Sequence, residues 1–164
     1  MSVFYYKFEV RWSDIDANRH LANSAYVQYC AQTRMGFMNK HKMGLAQLNR
    51  WGIGSVLLHE RYSFFREIYA DQTIYVSLEV SGLSEDGGIY AFTHKFYLSD
   101  GTHCATAEVL GVWIDTMLRK STTPPDDVIR NLEGYKTDNT KVLTRDDIKG
   151  LPFRPENIDP KFLK

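Results

Sequence analysis

This sequence is short of the features that assign a chain quickly, and each shortage removes a class of function. Two cysteines in 164 residues, Cys30 and Cys104, each among apolar neighbours, exclude a disulfide scaffold and read as small buried hydrophobes. No apolar run is long enough to span a bilayer, and MSVFYYKFEV lacks the basic start and continuous apolar stretch of a signal peptide. A cytoplasmic location with no membrane partner is therefore expected. Neither charge sign is in excess: 20 basic and 20 acidic side chains cancel, which removes the global field that would draw the chain to nucleic acid. His20, His41, His59, His94 and His103 show no paired ligand spacing, so no metal is expected. A Gly-rich phosphate loop, internal repeats and low-complexity tracts are also absent.

One further absence is local. Residues 17 to 59 hold no Asp or Glu but carry Arg19, Arg34, Lys40, Lys42 and Arg50. Asp14 and Asp16 stand at the edge of this stretch, the nearest acids to it on the N-terminal side. An EF-hand calcium loop starting at Asp14 would need glycine at Arg19 and a carboxylate at Ala25, so that use of the aspartates is excluded.

What is present is a clear periodic pattern. Phe4, Tyr6, Phe8, Val10 and Trp12 alternate with Tyr5, Lys7, Glu9 and Arg11, a half-buried strand from 4 to 12. Ser13 to Ala22 breaks the period with turn-forming Ser, Asp and Asn. Ala22, Tyr26, Cys30, Thr33 and Phe37 then recur at helical steps, with Asn23 or Ser24 as cap, Lys40 to Lys42 in the last turn and Gly44 as a left-handed stop. A short helical piece covers 45–49. Four alternating runs follow: Val56 to Phe64, Ile74 to Val80, Tyr90 to Leu98, and His103 to Thr116, where Ala105, Ala107, Val109 and Gly111 leave room for a helix. Pro125 opens a last short helix through Leu132. The order predicts an α+β domain over 1–132, with a five-stranded antiparallel sheet and one long helix on its face. Residues 133–164 read as a C-terminal extension that docks on the domain or on a partner subunit.

Chemistry gathers between strand and helix. A carboxylate beside the free N–H groups of a helix start supplies a base or nucleophile together with a site for a developing negative oxygen, the minimum for cleaving an acyl bond. Arg61 and Arg66 offer cations to an anionic substrate or, as arginines on strands usually do, form a solvated face.

Asp14, Asp16, His20, Asn23, Tyr26, Tyr29 and Arg34 together resemble the pattern of the hotdog-fold acyl-CoA thioesterases of the 4-hydroxybenzoyl-CoA thioesterase type. That pattern runs Asp-x-Asp-x-x-Gly-His-Val-Asn-Asn-x-x-Tyr-x-x-Tyr with an Arg a turn later. The resemblance covers about residues 3 to 132 and implies the hotdog fold. It gives Asp16 the role of nucleophile or general base, the backbone N–H of Asn23 that of oxyanion donor, and Asp14 and His20 supporting parts. Tyr26, Arg19, Arg61 and Arg66 become the substrate contacts. The implied substrate is an acyl-CoA, the implied assembly a homodimer or homotetramer, with no cofactor. Two positions depart from the pattern: Arg19 stands where glycine is usual, and Ala22 replaces the first asparagine. A neighbouring branch of the fold uses a glutamate two turns into the helix, where this chain has Ala31 and Gln32, so that mechanism is excluded. A hotdog hydratase or dehydratase is one alternative, although it would want Asp-x-Asn-Pro-x-His, and the stretch from Asp16 to His20 lacks the proline and is one residue short. A non-catalytic acyl-CoA-binding protein is the alternative from another class.

Overall fold

The computed structural model describes residues 3–163. Met1, Ser2 and Lys164, the outer ends of the two expected segments, lie outside the described residues. Strand β1 (Phe4–Glu9) is followed by a 3-10 turn at Trp12–Asp14 and then by the long helix α1 (Asn23–Lys40) and short α2 (Leu45–Trp51). Strands β2 (Ile53–Phe64), β3 (Thr73–Ser84), β4 (Ile89–Leu98) and β5 (His103–Asp115) come next, then two-residue β6 (Lys120–Ser121) and helix α3 (Asp126–Glu133). Strand β7 (Lys136–Leu143), helix α4 (Arg145–Lys149) and a 3-10 turn at Pro160–Leu163 complete the chain. The fold is α+β, a curled sheet with helices, as the alternation predicts.

The sheet runs β1-β3-β4-β5-β2, and these five strands pair antiparallel. Two more strands correct the expected count of five to seven: β6 adds to β5, and β7 lies parallel to β3 past the end of β1. The second of these comes from the extension, whose Tyr135 and Leu143 are buried. Thr140 fastens it by donating its hydroxyl to the Val80 carbonyl at 2.6 Å.

Helix α1 covers one face of the sheet and divides the core in two. Toward its start, Ala25, Tyr26, Tyr29 and Cys30 pack with Ile74, Val76, Phe96, Cys104, Ala105 and Ala107. Toward its end, Phe37 and Met38 pack with Leu78, Val80, Tyr90, Trp113 and Tyr135. The small side chains of β5 do admit the helix at Ala105 and Ala107, but the space at Gly111 is taken by Tyr90, whose hydroxyl oxygen lies 2.3 Å from where a Cβ would sit. Both cysteines are buried and free. Among the described residues no helix is long and apolar enough to cross a membrane.

Three local expectations change. Strand β1 ends at Glu9 because the backbone turns into the 3-10 segment, which leaves Trp12 85% exposed instead of on the buried face. The cap of α1 is Ala22, not Asn23 or Ser24, and no side chain caps it. Gly44 is not left-handed; with φ −64° it precedes α2, and the positive φ falls at Lys42 instead.

Candidate active site

The loop between β1 and α1 is fixed before any side chain is considered. Ile15 and Leu21 form a bridge, Leu21 N–H donates to Ile68 O at 2.7 Å, Ala22 N–H donates to Asp14 O at 2.9 Å, and Asp16 N–H donates to His20 O at 3.1 Å. Between the last pair the chain reverses in a turn closed by Arg19 N–H on Asp16 O at 3.0 Å. The reversal needs a left-handed residue, and Arg19 supplies it at φ 69°. This is the position where the resembling pattern has glycine, whose missing Cβ makes that conformation cheap.

The two aspartates are placed differently. Asp14 is 8% exposed and turned inward: Tyr29 donates its hydroxyl at 2.7 Å, and Arg11 donates from Nε and Nη2 at 3.2 Å each. Burial works against its charge, yet the bonds from Tyr29 and Arg11 prevail and hold its carboxyl below the usual range. Burial and the neighbouring carboxylate push the Tyr29 hydroxyl up, so it stays a donor. Asp14 is therefore committed to the structure. Asp16 is partly exposed, and its Oδ1 accepts only the Asn18 N–H at 2.8 Å within the loop.

His20 stands between two carboxylates, with Nδ1 3.9 Å from Asp16 and Nε2 3.9 Å from Glu67. Both distances exceed a direct hydrogen bond. Its ring opens on a cleft of about 340 Å³ walled by His20, Leu21, Asn23, Tyr26, Phe64, Phe65, Arg66 and Glu67. The start of α1 enters this wall at Asn23. Ala22 has no side-chain oxygen to turn back; its carbonyl accepts the Ala25 N–H at 2.9 Å, and no side chain caps the first-turn N–H groups at the positive end of the helix dipole. Such a helix start favours negative charge.

The structure thus brings Asn23, His20, Tyr26 and Arg66 to one cleft; Asp16 and Asp14 are not part of its wall, and Asp16 is linked to it only through His20, 3.9 Å away. Tyr26 is 4% exposed, packed on Phe64 and Phe96, and burial pushes its hydroxyl up to about 12, so it serves the wall as a neutral ring. Arg19 is exposed on the turn and is no part of the wall. Arg61 is not brought there either: the β2–β5 register sets it opposite Glu108, with which it pairs at the surface. Phe64, Phe65 and Glu67 were not singled out from the sequence. Adjacent exposed aromatics at the end of an alternating run were the available signal, since alternation would have turned one of them inward. A cleft of about 510 Å³ beside Ser84, Thr122 and Arg145 shares no residue with this one.

Comparison with known proteins bears on the family and the fold. A family model described as thioesterase-like superfamily matches residues 10–132. No curated protein matches the chain by sequence. Among solved structures, a 1,4-dihydroxy-2-naphthoyl-CoA thioesterase from Synechocystis superposes with a TM-score of 0.72 at 16% identity, over 80% of this chain and 96% of that one. A hypothetical protein from Staphylococcus aureus in complex with CoA gives 0.76 at 19% identity, over 94% and 96%. A probable thioesterase from Escherichia coli gives 0.69 at 16% identity, over 80% and 98%.

Proposed function

The chain belongs to the thioesterase-like superfamily and is a thioester hydrolase, and from that premise we propose that it cleaves acyl-CoA to the free acid and coenzyme A with Asp16 as the reacting carboxylate. The observation that carries the reading is the start of α1, which meets the cleft at Asn23 without a capping side chain, next to His20 and Asp16. The thioester carbonyl oxygen accepts the Asn23 N–H, and as the carbonyl carbon becomes tetrahedral the negative charge grows against the helix start.

Asp16 then acts in one of two ways. As nucleophile, it adds to the carbonyl carbon, the C–S bond breaks, the thiolate leaves and takes a proton, and water hydrolyses the acyl-aspartate to regenerate the carboxylate. As general base, it takes a proton from the water that attacks, the C–S bond of the tetrahedral intermediate then breaks, and the leaving thiolate takes that proton, which restores the carboxylate. His20, held between Asp16 and Glu67, positions the loop edge in either route. Arg66 stands at the cleft with no acidic partner among the described residues and is the cation placed for the phosphates of coenzyme A. The Staphylococcus aureus neighbour with CoA supports that ligand class.

The same reading places the enzyme in the cytoplasm as a homodimer or homotetramer. Strand β2 is twelve residues long, pairs only with β5 among the described residues, and exposes Leu58 and Phe64. An edge of that length is a template for a second strand. Sedimentation velocity at micromolar concentration should give two or four chains; a monomer refutes the pairing.

Thiol release from acyl-CoA tests the chemistry. Asp16→Asn, nearly the same size, should abolish release and leave the thermal melt unchanged. Turnover at the wild-type rate would refute the role of Asp16, and acyl-CoA binding without release in the wild type would make this a binding protein.

A further inference from the structure

A second cavity, about 210 Å³, lies under the C-terminal half of α1 and shares no residue with the cleft at Asn23. Its walls come from α1, α2, β2 and the sheet, and most are apolar: Met35, Phe37, Met38, Leu48, Leu78 and Phe92. An apolar cavity of roughly 150 Å³ accepts one benzene ring. The space here therefore takes a ring-sized body and a small substituent besides.

Its polar wall residues are the unusual part. Trp113 is 2% exposed, and among the described residues its indole N–H has no acceptor. Arg34 Nη1 meets His94 Nε2 at 3.3 Å, and no carboxylate among the described residues forms an ion pair with it. His94 does not neutralise it. Its Nδ1 donates to the Ser77 carbonyl at 2.7 Å, which leaves Nε2 as the lone-pair nitrogen that accepts from Arg34. Burial, and then the charge of Arg34, push His94 down to about 3, so it holds no proton to spare. The guanidinium thus keeps its full charge and most of its five N–H donors. Ser55 and Tyr90, hydrogen-bonded to each other, add two hydroxyls to the same wall.

Donors outnumber acceptors around an apolar space, and one donor is a cation without a counter-charge. We propose that this cavity is a binding site for a small carboxylate with an apolar, ring-sized body, its oxygens accepting from Arg34 beside the Ser55 and Tyr90 hydroxyls. The charge of such a ligand completes the pairing of Arg34, and its body covers surface that the cavity otherwise leaves without neighbours. The site stands whether or not the chain hydrolyses thioesters, because it is read by binding alone.

The test uses the full chain and two probes of one ring each, benzoate and neutral benzyl alcohol, followed by calorimetry and by the indole N–H resonances in a proton–nitrogen spectrum. Benzoate should bind at least tenfold tighter than benzyl alcohol and should shift the Trp113 indole resonance more than the Asn23 amide. Arg34→Met should erase the preference while benzyl alcohol still binds. If that variant does not fold, Ala31→Leu fills the cavity from the neighbouring turn with Arg34 in place, and must remove benzoate binding. Equal affinity for the two probes, a shift confined to Asn23, or benzoate binding undiminished in Ala31→Leu overturns the proposal.

Discussion

Replacing Tyr29 by Phe isolates one hydrogen bond, because the ring can stay where it is. Phe8 stacks on Tyr29 with centroids 4.4 Å apart and planes 3° from parallel, a contact that the hydroxyl does not enter. What is lost is the donor at 2.7 Å on Asp14 Oδ2, inside a site where the carboxylate is 8% exposed. A bond to a buried charged group contributes roughly 1.5–3 kcal/mol, so Tyr29→Phe should cost about that at neutral pH. At the midpoint this corresponds to about 3–12 °C for a domain of this size. The dependence on pH distinguishes this cause from a packing defect. The folded carboxyl of Asp14 lies below its ordinary value of 3.8, so its stabilising contribution is present above that value and is lost as pH falls through the folded pKa. Removing Tyr29's hydroxyl raises the folded pKa, and the gap between wild type and variant must narrow as pH falls below 3.8, where Asp14 protonates and no longer needs a donor. Urea melts of both proteins at pH 7 and near pH 3 measure it. A gap under about 0.5 kcal/mol at pH 7, or one equally wide at both pH values, refutes the charge-assisted bond.

Two other substitutions probe the frame around the site. Arg19→Gly removes a Cβ from a left-handed residue, a gain of roughly 1–2 kcal/mol, against an added glycine entropy of about 0.5–1 kcal/mol. The net expectation is about 0.5–1 kcal/mol of stabilisation in a urea melt, and an unchanged or lowered midpoint removes the strain argument. Tyr135→Ala takes away a ring that is 7% exposed, packs edge-on against Phe37 at 4.9 Å and bonds His41 through its hydroxyl at 3.1 Å. A loss of about 3–5 kcal/mol is expected, and a cost below 1 would mean that the segment after α3 adds little to the core.

Alternation made part of the sheet legible before any coordinates: β4 buries Tyr90, Phe92, His94 and Phe96 in strict alternation, whereas β2 buries only Ile53, slips register between Leu57 and His59, and exposes Leu58 and Phe64. Strand β7 has no such record. Its sequence, KTDNTKVL, is polar almost throughout and buries only Leu143, since it lies along the edge of β3 and is held by backbone and Thr140 rather than by a face of its own. The partnership of Arg34 with His94 was equally hidden. The two are 60 residues apart, and neither residue's neighbours announce the other. Trp12 misled for the opposite reason: it kept the strand's period after the backbone had left the strand.

The site itself was half legible. Composition marked both aspartates, whereas only the fold separates them, giving Asp14 two donors from Arg11 and one from Tyr29 and leaving Asp16 a single loop N–H. That division explains how a strained turn can persist here. Arg19 sits in a conformation that most side chains avoid, so something else must hold the turn. Asp14 does so from below, its carboxylate locked to α1 through Tyr29 and its carbonyl bound to Ala22 N–H at 2.9 Å, while Leu21 is tied to Ile68 from the side. With both flanks tied, the intervening reversal runs through the left-handed residue Arg19. Asp16 and His20 are its two ends, joined by Asp16 N–H on His20 O. The buried aspartate therefore sets the position of the exposed one. Under the proposed mechanism, loosening Asp14 changes the rate through Asp16 without Asp14 ever meeting the substrate.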